Sequence, residues 1–228
     1  CLSGGGAITM YHGGVLRALI DGGLYGRVRV VSGTSGGAIM AAMCACRTEA
    51  ELLDDVLVET VSSDFSRDGR QAAERLHWFP PLRDQLVRFA RERRLIDHAD
   101  FFRVGRYDYG DTSFAEAFAR TRKHVCISLS ASRGGAAGGT QRLLLSHVAT
   151  PHVTLASAVA ASCAMPAIMA AGRLEAKEPA TGRVVPFEVD GVEWIDGSFQ
   201  ADLPFERMRL LFNVSHFVVS QARARGKS

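Results

Sequence analysis

Ser35 is the residue of this sequence best placed for nucleophilic chemistry, since it lies between glycines in the stretch GTSGG, residues 33–37. Residues 28–31 before it favour a short buried strand, and residues 38–42 after it favour a helix. A serine on a sharp strand-to-helix turn presents its Oγ above the sheet, and flanking glycines allow the close backbone approach of that turn. The first amides of the helix would then face an oxyanion formed during acyl transfer. The pentapeptide by itself fits a plain glycine turn equally well.

Gly4, Gly5 and Gly6 form a second cluster near the start of the chain. A dinucleotide-binding fingerprint would need a further glycine where Thr9 stands, and a phosphate-binding P-loop would need Gly-Lys followed by Ser or Thr. The amides of a glycine loop still bind anions. Beside the turn at Ser35, such a loop would donate hydrogen bonds to a tetrahedral oxyanion.

Asp196 is the third candidate, in the stretch WIDGS at residues 194–198. An aspartate before a glycine at the end of a strand is also an ordinary turn former. As a functional group it would take the proton from Ser35. A triad in the order Ser, acid, His would need His216, but the apolar residues of 216–221 predict a buried late strand there.

Composition narrows the functions that these candidates serve. The chain has 228 residues, long enough for one large or two small domains, and its net charge of +3 is too weak to indicate nucleic-acid binding. Its five cysteines are odd in number and lack zinc-ligand spacing, so we expect reduced thiols, a reducing compartment, and no metal or cofactor. The chain opens on Cys1 without a leader, and we expect it to be part of a longer protein.

Alternating strands and helices along the chain predict an α/β fold with a mainly parallel sheet and helices on both faces. Residues 153–171 are apolar for about the length that a bilayer requires, but they are mostly Ala and Ser and include Pro166, so they predict a buried helix. Other predicted elements are a helix ending at Gly22, a helix at 49–60, a strand at 124–130 and a hairpin at 172–195.

The order of glycine loop, G-x-S-x-G turn and late Asp-Gly resembles that of patatin-like phospholipases. The second half of the chain sharpens the resemblance toward the triacylglycerol lipases of fungal and plant lipid droplets. The segments that carry it are ATPHVTLASAVAASCAMPAI (149–168), LEAKEPATGRVVPF (174–187), WIDGSFQADLP (194–204) and LFNVSHFVVSQ (211–221). With the N-terminal motifs, these segments extend the resemblance over most of the chain, with residues 62–112 as the exception.

The resemblance implies that residues 1–228 are a patatin-like catalytic domain with a three-layer α/β/α fold. It also implies a Ser-Asp dyad, with Ser35 as nucleophile, Asp196 as proton acceptor, and the loop of Gly4, Gly5 and Gly6 with Gly36 as oxyanion hole. The expected activity is hydrolysis of lipid acyl esters, above all triacylglycerol, at an intracellular lipid droplet or membrane surface. Phospholipase or lysophospholipase activity at the same site is the alternative. A catalytically silent lipid-binding domain is disfavoured because it would need neither side chain of the dyad.

Residues 62–112 are irregular in sequence and predict a lipid-facing segment. An apolar side would face lipid while arginines contact phosphate head groups. A solvated helix packed on the core is the alternative. The apolar residues are Leu82, Leu86, Val87, Phe89 and Ala90, and the arginines are Arg83, Arg88, Arg91, Arg93 and Arg94.

Overall fold

The structure, a computed structural model, describes residues 1–57, 78, 80–132, 142–166, 168–188, 192–199 and 203–222. In these ranges the helices are α1 (His12–Asp21), α2 (Gly36–Cys46), α3 (Glu49–Glu51), α4 (Leu82–Glu92), α5 (His98–Tyr109), α6 (Phe114–Thr121), α7 (Leu155–Ser162) and α8 (Phe205–Phe212). The strands are β1 (Val30–Gly33), β2 (His124–Ala131), β3 (Arg142–Leu145), β4 (Leu174–Lys177), β5 (Val184–Phe187) and β6 (Trp194–Asp196). Short 3₁₀ turns span Gly6–Tyr11, Tyr25–Arg27 and Gly197–Phe199, and a π-helical segment spans Leu52–Leu57.

The central sheet is built around β2. Strand β1 runs parallel to β2, with Gly33 opposite Ile127. On the outer side of β1, Leu2 makes a parallel bridge to Gly33, and Ser220 makes a parallel bridge to Leu2. Strands β3 and β6 run antiparallel to β2. With the bridges of Leu2 and Ser220 included, three of these five pairings are parallel, which agrees with the mainly parallel sheet predicted from the sequence. The two antiparallel strands both pair with β2.

Strands β1 and β6 lie on the same edge of β2 and run toward each other. Ile127 pairs with β3 on one edge and with Gly33 on the other, while Leu129 pairs with β3 and with Asp196. Because a strand has only two edges, Gly33 and Asp196 must share the edge that β3 leaves open. The C-terminal ends of β1 and β6 therefore meet on either side of Ser128.

Helices enclose this sheet on both faces. Every residue of β2 from Val125 to Ala131 is buried, so neither face of the strand is left to solvent. All residues of α2 are buried as well, since its Gly, Ala, Cys and Met side chains allow close packing on β1 and β2. Helix α7 is equally buried, which confirms the helix predicted within residues 153–164. None of the helices in the described ranges is both long and apolar enough to cross a membrane.

The C-terminal elements give one confirmation and one correction. Strands β4 and β5 form the predicted hairpin, and Gly182 in its turn has a φ of 71°. The buried strand predicted at 216–221 is wrong, because Val218 is 58% exposed and Val219 is 45% exposed. The apolar residues there follow a strand-like pattern, but within the described part of the segment only Ser220 bridges to the sheet.

The described part of residues 62–112 is helical rather than irregular. Helix α5 belongs to the core through Phe101, Val104 and Tyr109, whereas α4 has no buried residue. Residues 62–77 and 79 lie outside the described ranges, as do the last three residues of the helix predicted at 49–60. The lipid-facing prediction therefore concerns α4 rather than the whole segment.

The glycines around Ser35 are required by close contacts, whereas the positive φ of this turn belongs to Ser35 itself. A Cβ atom on Gly33 would overlap the carbonyl oxygen of Gly37, and one on Gly37 would overlap the carbonyl oxygen of Leu2. The turn therefore packs directly against the N-terminal segment. Gly14, on the exposed side of α1, has open space where its Cβ would lie.

This difference predicts opposite effects for the same substitution. Gly37→Ala should lower the free energy of unfolding by about 3 kcal/mol, since backbone must move to admit the methyl group. Gly14→Ala should raise it by about 0.5–1 kcal/mol, because alanine favours the helix and meets no neighbour. Urea denaturation of both variants measures the two changes. Equal stabilities for the two variants would contradict the packing described for the turn.

Candidate active site

Ser35 has a backbone conformation that sets it apart from the rest of the described chain. It caps the N-terminus of α2 with φ 54° and ψ −132°. The other described non-glycine residues with positive φ, namely Arg93, Arg122 and Asn213, are left-handed C-caps of helices. A strained non-glycine backbone costs about 1–3 kcal/mol and persists where the surrounding structure holds it in place. The structure thus gives the predicted serine the geometry of a nucleophile elbow.

The amide of Ser35 is held by a buried serine on α7. It donates a hydrogen bond of 3.0 Å to Ser162 Oγ, and the Ser162 hydroxyl donates a hydrogen bond of 2.9 Å to the carbonyl oxygen of Ser128. Ser162 is fully buried, with 0% of its surface exposed. The turn is thereby fixed to the point on β2 where β1 and β6 meet.

The glycine loop lies directly beside Ser35. A Cβ atom on Gly4 would come within 3.0 Å of Ser35 Cβ and 3.5 Å of its Oγ. Gly36, the first residue of α2, contacts the side chain of Thr9 so closely that a Cβ on it would overlap Thr9 Oγ1. The Thr9 hydroxyl donates a hydrogen bond of 2.5 Å to the carbonyl oxygen of Gly6. The structure therefore brings together three of the predicted positions, Gly4, Ser35 and Gly36.

The remaining two predicted loop glycines have different surroundings. A Cβ on Gly5 would lie 2.8 Å from the carbonyl oxygen of Ala222, and Gly6 has a φ of 57° with open space around it. Gly36 lies in the first turn of α2, where amides have no intrahelical acceptor. Gly4 and Gly36 therefore have the positions closest to Ser35 among the predicted oxyanion-hole residues.

A buried histidine that the sequence did not single out anchors the loop. The two ring nitrogens of His12 lie 2.9 Å from the carbonyl oxygen of Ser3 and 2.7 Å from Ser220 Oγ. Burial lowers the pKa of His12, so the neutral ring is favoured. The Ser3 hydroxyl donates to the carbonyl oxygen of Gly4 at 2.9 Å. These hydrogen bonds connect α1 with the glycine loop and with the segment of the chain around Ser220.

Asp196 is buried at the end of β6, with 1% of its surface exposed. Its Oδ1 accepts hydrogen bonds from the Ser198 amide at 2.8 Å and from the Ser198 hydroxyl at 2.7 Å. Its own amide donates to the carbonyl oxygen of Ala164 at 3.2 Å. The pKa of the Cys163 thiol is raised well above its ordinary value, mainly because the thiol is buried and in smaller part because of the nearby charge of Asp196. Asp196 therefore lies beside residues 163–164, which directly follow the serine that holds Ser35.

His216 is remote from this site. It is exposed, its Nδ1 lies 2.9 Å from Ser215 Oγ, and it lines a surface groove with Arg27 and Val28. These two residues precede β1, whereas Ser35 follows the opposite end of that strand. Neither of the roles considered for His216, a buried sheet position or the histidine of a triad, agrees with this placement.

Ser162, Ser198, Thr9 and His12 make contacts at the site that the sequence analysis missed. A signal for Ser162 was present, since a serine within a helix that is apolar on all sides must be buried, and buried hydroxyls are normally hydrogen-bonded. The sequence could not predict that Ser162 bonds to the Ser35 amide, because the two residues are distant in the chain.

Comparison with known protein sequences identifies the family of this chain. The family model of the patatin-like phospholipases matches residues 1–209. The chain belongs to the patatin-like phospholipase family. A patatin-like phospholipase domain-containing protein of Candida albicans is 33% identical over 222 residues, covering 97% of this chain and 24% of that protein. Triacylglycerol lipase 4 of Saccharomyces cerevisiae is 33% identical over 223 residues, covering 96% of this chain and 23% of the lipase.

The chain thus spans about a quarter of the length of these curated relatives. Among solved structures, the type III effector protein ExoU matches with a TM-score of 0.40 and 20% identity, covering 74% of this chain and 38% of the effector. The family assignment rests on the sequence matches, and it confirms both the resemblance and the patatin fold predicted from the motifs.

The contact between Gly4 and Ser35 generates a prediction of its own. If Ser35 is the nucleophile of an ester hydrolase, as its sequence predicts, Gly4→Ala should place a methyl group against it and reduce ester hydrolysis at least roughly tenfold, because small displacements of reacting groups are costly. Gly26→Ala serves as the control, since Gly26 has open space where its Cβ would lie. Initial rates on a soluble short-chain ester measure the effect. Full activity in Gly4→Ala would show that the loop does not border the reacting atoms.

Proposed function

We propose that this domain is a serine hydrolase of lipid acyl esters, with triacylglycerol as its main substrate class. The observation that carries the proposal is the strained Ser35 at the start of α2, with Gly4 against its side chain and Asp196 at the facing strand end. Membership of a family of lipid hydrolases supports the reaction class. The name of the yeast relative, a triacylglycerol lipase, supports the substrate class.

The proposed reaction begins with attack of Ser35 Oγ on the carbonyl carbon of the ester while Asp196 accepts the hydroxyl proton. The resulting oxyanion would accept hydrogen bonds from amides of Gly36 and the glycine loop. Collapse of this intermediate breaks the ester C–O bond, and the departing alkoxide takes the proton from Asp196. Water then attacks the acyl-serine with Asp196 again as base, which releases the fatty acid and restores Ser35.

Segments that directly follow residues of the site carry exposed apolar side chains. Ile8 and Tyr11, in the turn after the glycine loop, are 40% and 80% exposed, and Met165, shortly after Ser162, is 37% exposed. Such side chains fit contact with an apolar ligand better than with water. They support a lipid ester as substrate, while phospholipids remain the alternative that the family description suggests.

Helix α4 is the proposed contact with the lipid surface. Leu82, Leu86 and Phe89 follow one another at helical spacing and are 70%, 58% and 40% exposed. The amides of Leu95 and Ile96, just after the helix, both donate to the carbonyl oxygen of Ile168 at 3.0 Å. Since residues 163–168 directly follow Ser162, these bonds connect α4 to the segment that borders the candidate site.

One arginine of α4 does not fit the head-group role that its sequence suggested. Arg88 makes ion pairs of 3.0 Å with Glu92 and with Asp97, and a longer one of 3.4 Å with Asp100. The carboxylates compete with lipid phosphate for this guanidinium. Arg83 beside the apolar stripe, together with Arg93 and Arg94 after the helix, is the better set for phosphate contacts.

The proposed reaction predicts that a serine-directed phosphonate probe labels Ser35. Mass spectrometry should locate the adduct on the peptide that holds this residue, and Ser35→Ala should abolish it. Asp196→Asn should reduce ester turnover by roughly 10²–10⁴, because the proton acceptor is lost. His216→Gln is the matched control and should keep at least roughly a tenth of the activity, far more than loss of a general base allows.

Label on Ser3 or Ser32 instead would overturn the assignment of the nucleophile. Folded His216→Gln protein as inactive as Ser35→Ala would replace the dyad with a triad.

A separate experiment decides the substrate class. It compares the turnover of emulsified triacylglycerol, phosphatidylcholine and lysophosphatidylcholine at equal surface concentration. Faster turnover of either phospholipid would favour the phospholipase alternative, and folded wild-type protein without label or turnover would support a silent lipid-binding domain.

If α4 contacts the lipid surface, replacing its arginines and replacing its exposed leucines should each weaken membrane binding. Replacing Arg83, Arg93 and Arg94 with Gln should weaken flotation with phosphatidylserine-containing vesicles at least roughly tenfold, since each arginine near an anionic surface contributes about 1 kcal/mol. Replacing Leu82 and Leu86 with Ser should weaken binding to neutral vesicles also. Replacing Arg27, Arg29 and Arg122 with Gln changes net charge equally and is the control. Equal flotation of all variants would contradict the role of α4.

A further inference from the structure

We infer that Ser162 is a positioning residue for the nucleophile, an assignment that rests on the proposed function and deepens it. The Ser162 hydroxyl accepts a hydrogen bond from the Ser35 amide at 3.0 Å and donates one to the carbonyl oxygen of Ser128 at 2.9 Å. It thus connects the strained residue with the point where β1 and β6 meet.

The bond to Ser162 acts on the residue whose backbone is least favourable. With φ 54° and ψ −132°, Ser35 would relax toward a more common conformation if nothing held its amide. Relaxation would move Oγ away from Gly4 and from the end of β6. Because Ser162 is fully buried, water cannot readily take the place of its hydroxyl.

The hydrogen bond from the Ser35 amide to Ser162 also determines which backbone amides remain available to the oxyanion. In some serine hydrolases the amide of the nucleophile itself faces the oxyanion, whereas in others the amide of the following residue does so. Here the Ser35 amide is engaged by Ser162, so the corresponding donor is the amide of Gly36. Ser162 therefore selects which backbone amide faces the substrate, without contacting the substrate itself.

Ser157 provides a matched control on the same helix. It is also buried, its hydroxyl oxygen accepts a hydrogen bond from the Glu175 amide at 3.0 Å, and its hydroxyl lies 3.1 Å from the carbonyl oxygen of Thr154. Ser157→Ala therefore removes an amide-to-hydroxyl and a hydroxyl-to-carbonyl hydrogen bond from α7, as Ser162→Ala does, together with the hydrogen bond of 2.9 Å that the Thr154 hydroxyl donates to Ser157 Oγ. It differs in connecting the helix with β4 rather than with the turn at Ser35.

The test compares Ser162→Ala and Ser157→Ala in the rate of phosphonate labelling at Ser35, in kcat and KM on a soluble ester, and in stability to urea. We expect Ser157→Ala to lose at least as much stability as Ser162→Ala, since it removes one more buried hydrogen bond. Ser162→Ala should slow labelling and lower kcat roughly 10–100-fold with KM little changed, since the reacting oxygen is displaced rather than the substrate pocket. Ser157→Ala should retain wild-type rates at temperatures where it is folded.

Ser162→Cys keeps a small side chain with a weak donor and acceptor, and it should recover part of the lost rate. If Ser162→Ala fails to fold, Ser162→Gly, which also lacks the hydroxyl and changes only the last residue of α7, is the test variant. Labelling of folded Ser162→Ala or Ser162→Gly within about twofold of wild type would overturn the positioning role while leaving the proposed function intact. Wild-type protein that takes no label at Ser35 would overturn the proposed function and this assignment with it.

Discussion

The candidate site depends on one constraint, the meeting of two oppositely directed strands on a single edge of β2. Strand β1 ends opposite Ile127 and β6 ends opposite Leu129, so only one residue of β2, Ser128, lies between the two strand ends. Gly197 passes so close to this point that a Cβ on it would overlap the Ser128 carbonyl oxygen. The Ser162 hydroxyl, which accepts from the Ser35 amide, donates to the same carbonyl oxygen. The turns that follow the two strand ends therefore both lie against Ser128.

Close approach at this point requires small side chains. Gly33 and Gly37 allow the turn to pack on the N-terminal segment, and α2 and α7 are fully buried with mostly Gly, Ala and Ser on their surfaces. A larger residue at any of the closest contacts would push the strand ends apart. The same small residues leave few side chains able to hold the strained turn, so a buried serine hydroxyl has a larger effect than it would in a looser core.

The surface around the site differs from this interior. Helix α4 has exposed leucines and arginines, and the turn after the glycine loop exposes Ile8 and Tyr11. In water these side chains bury little apolar area, and contact with a lipid phase would cover them. These exposed side chains are the feature of the surface that supports the lipid substrate proposed above.

The sequence was sufficient for the features that depend on local pattern. The glycine-flanked Ser35, the alternation of strands and helices, the buried helix at α7 and the hairpin turn at Gly182 all follow from short-range composition. It was insufficient at 216–221, where a strand-like pattern lacks pairing over most of its length, and in the described part of 62–112, where α4 is exposed but α5 is core. Whether an apolar pattern becomes buried depends on partners that the pattern does not specify.

The sequence by itself determined that Ser35 would lie on a strand-to-helix turn, because β-branched residues favour a strand and glycines permit the tight turn that follows it. It also determined that Asp196 would end a short strand before a glycine. Only the tertiary structure decided that the two strand ends converge, since the register of β1 and β6 on β2 is a long-range pairing. The tertiary structure also joined Ser35 to Ser162, because hydrogen bonds between residues distant in the chain form only when packing brings their elements together.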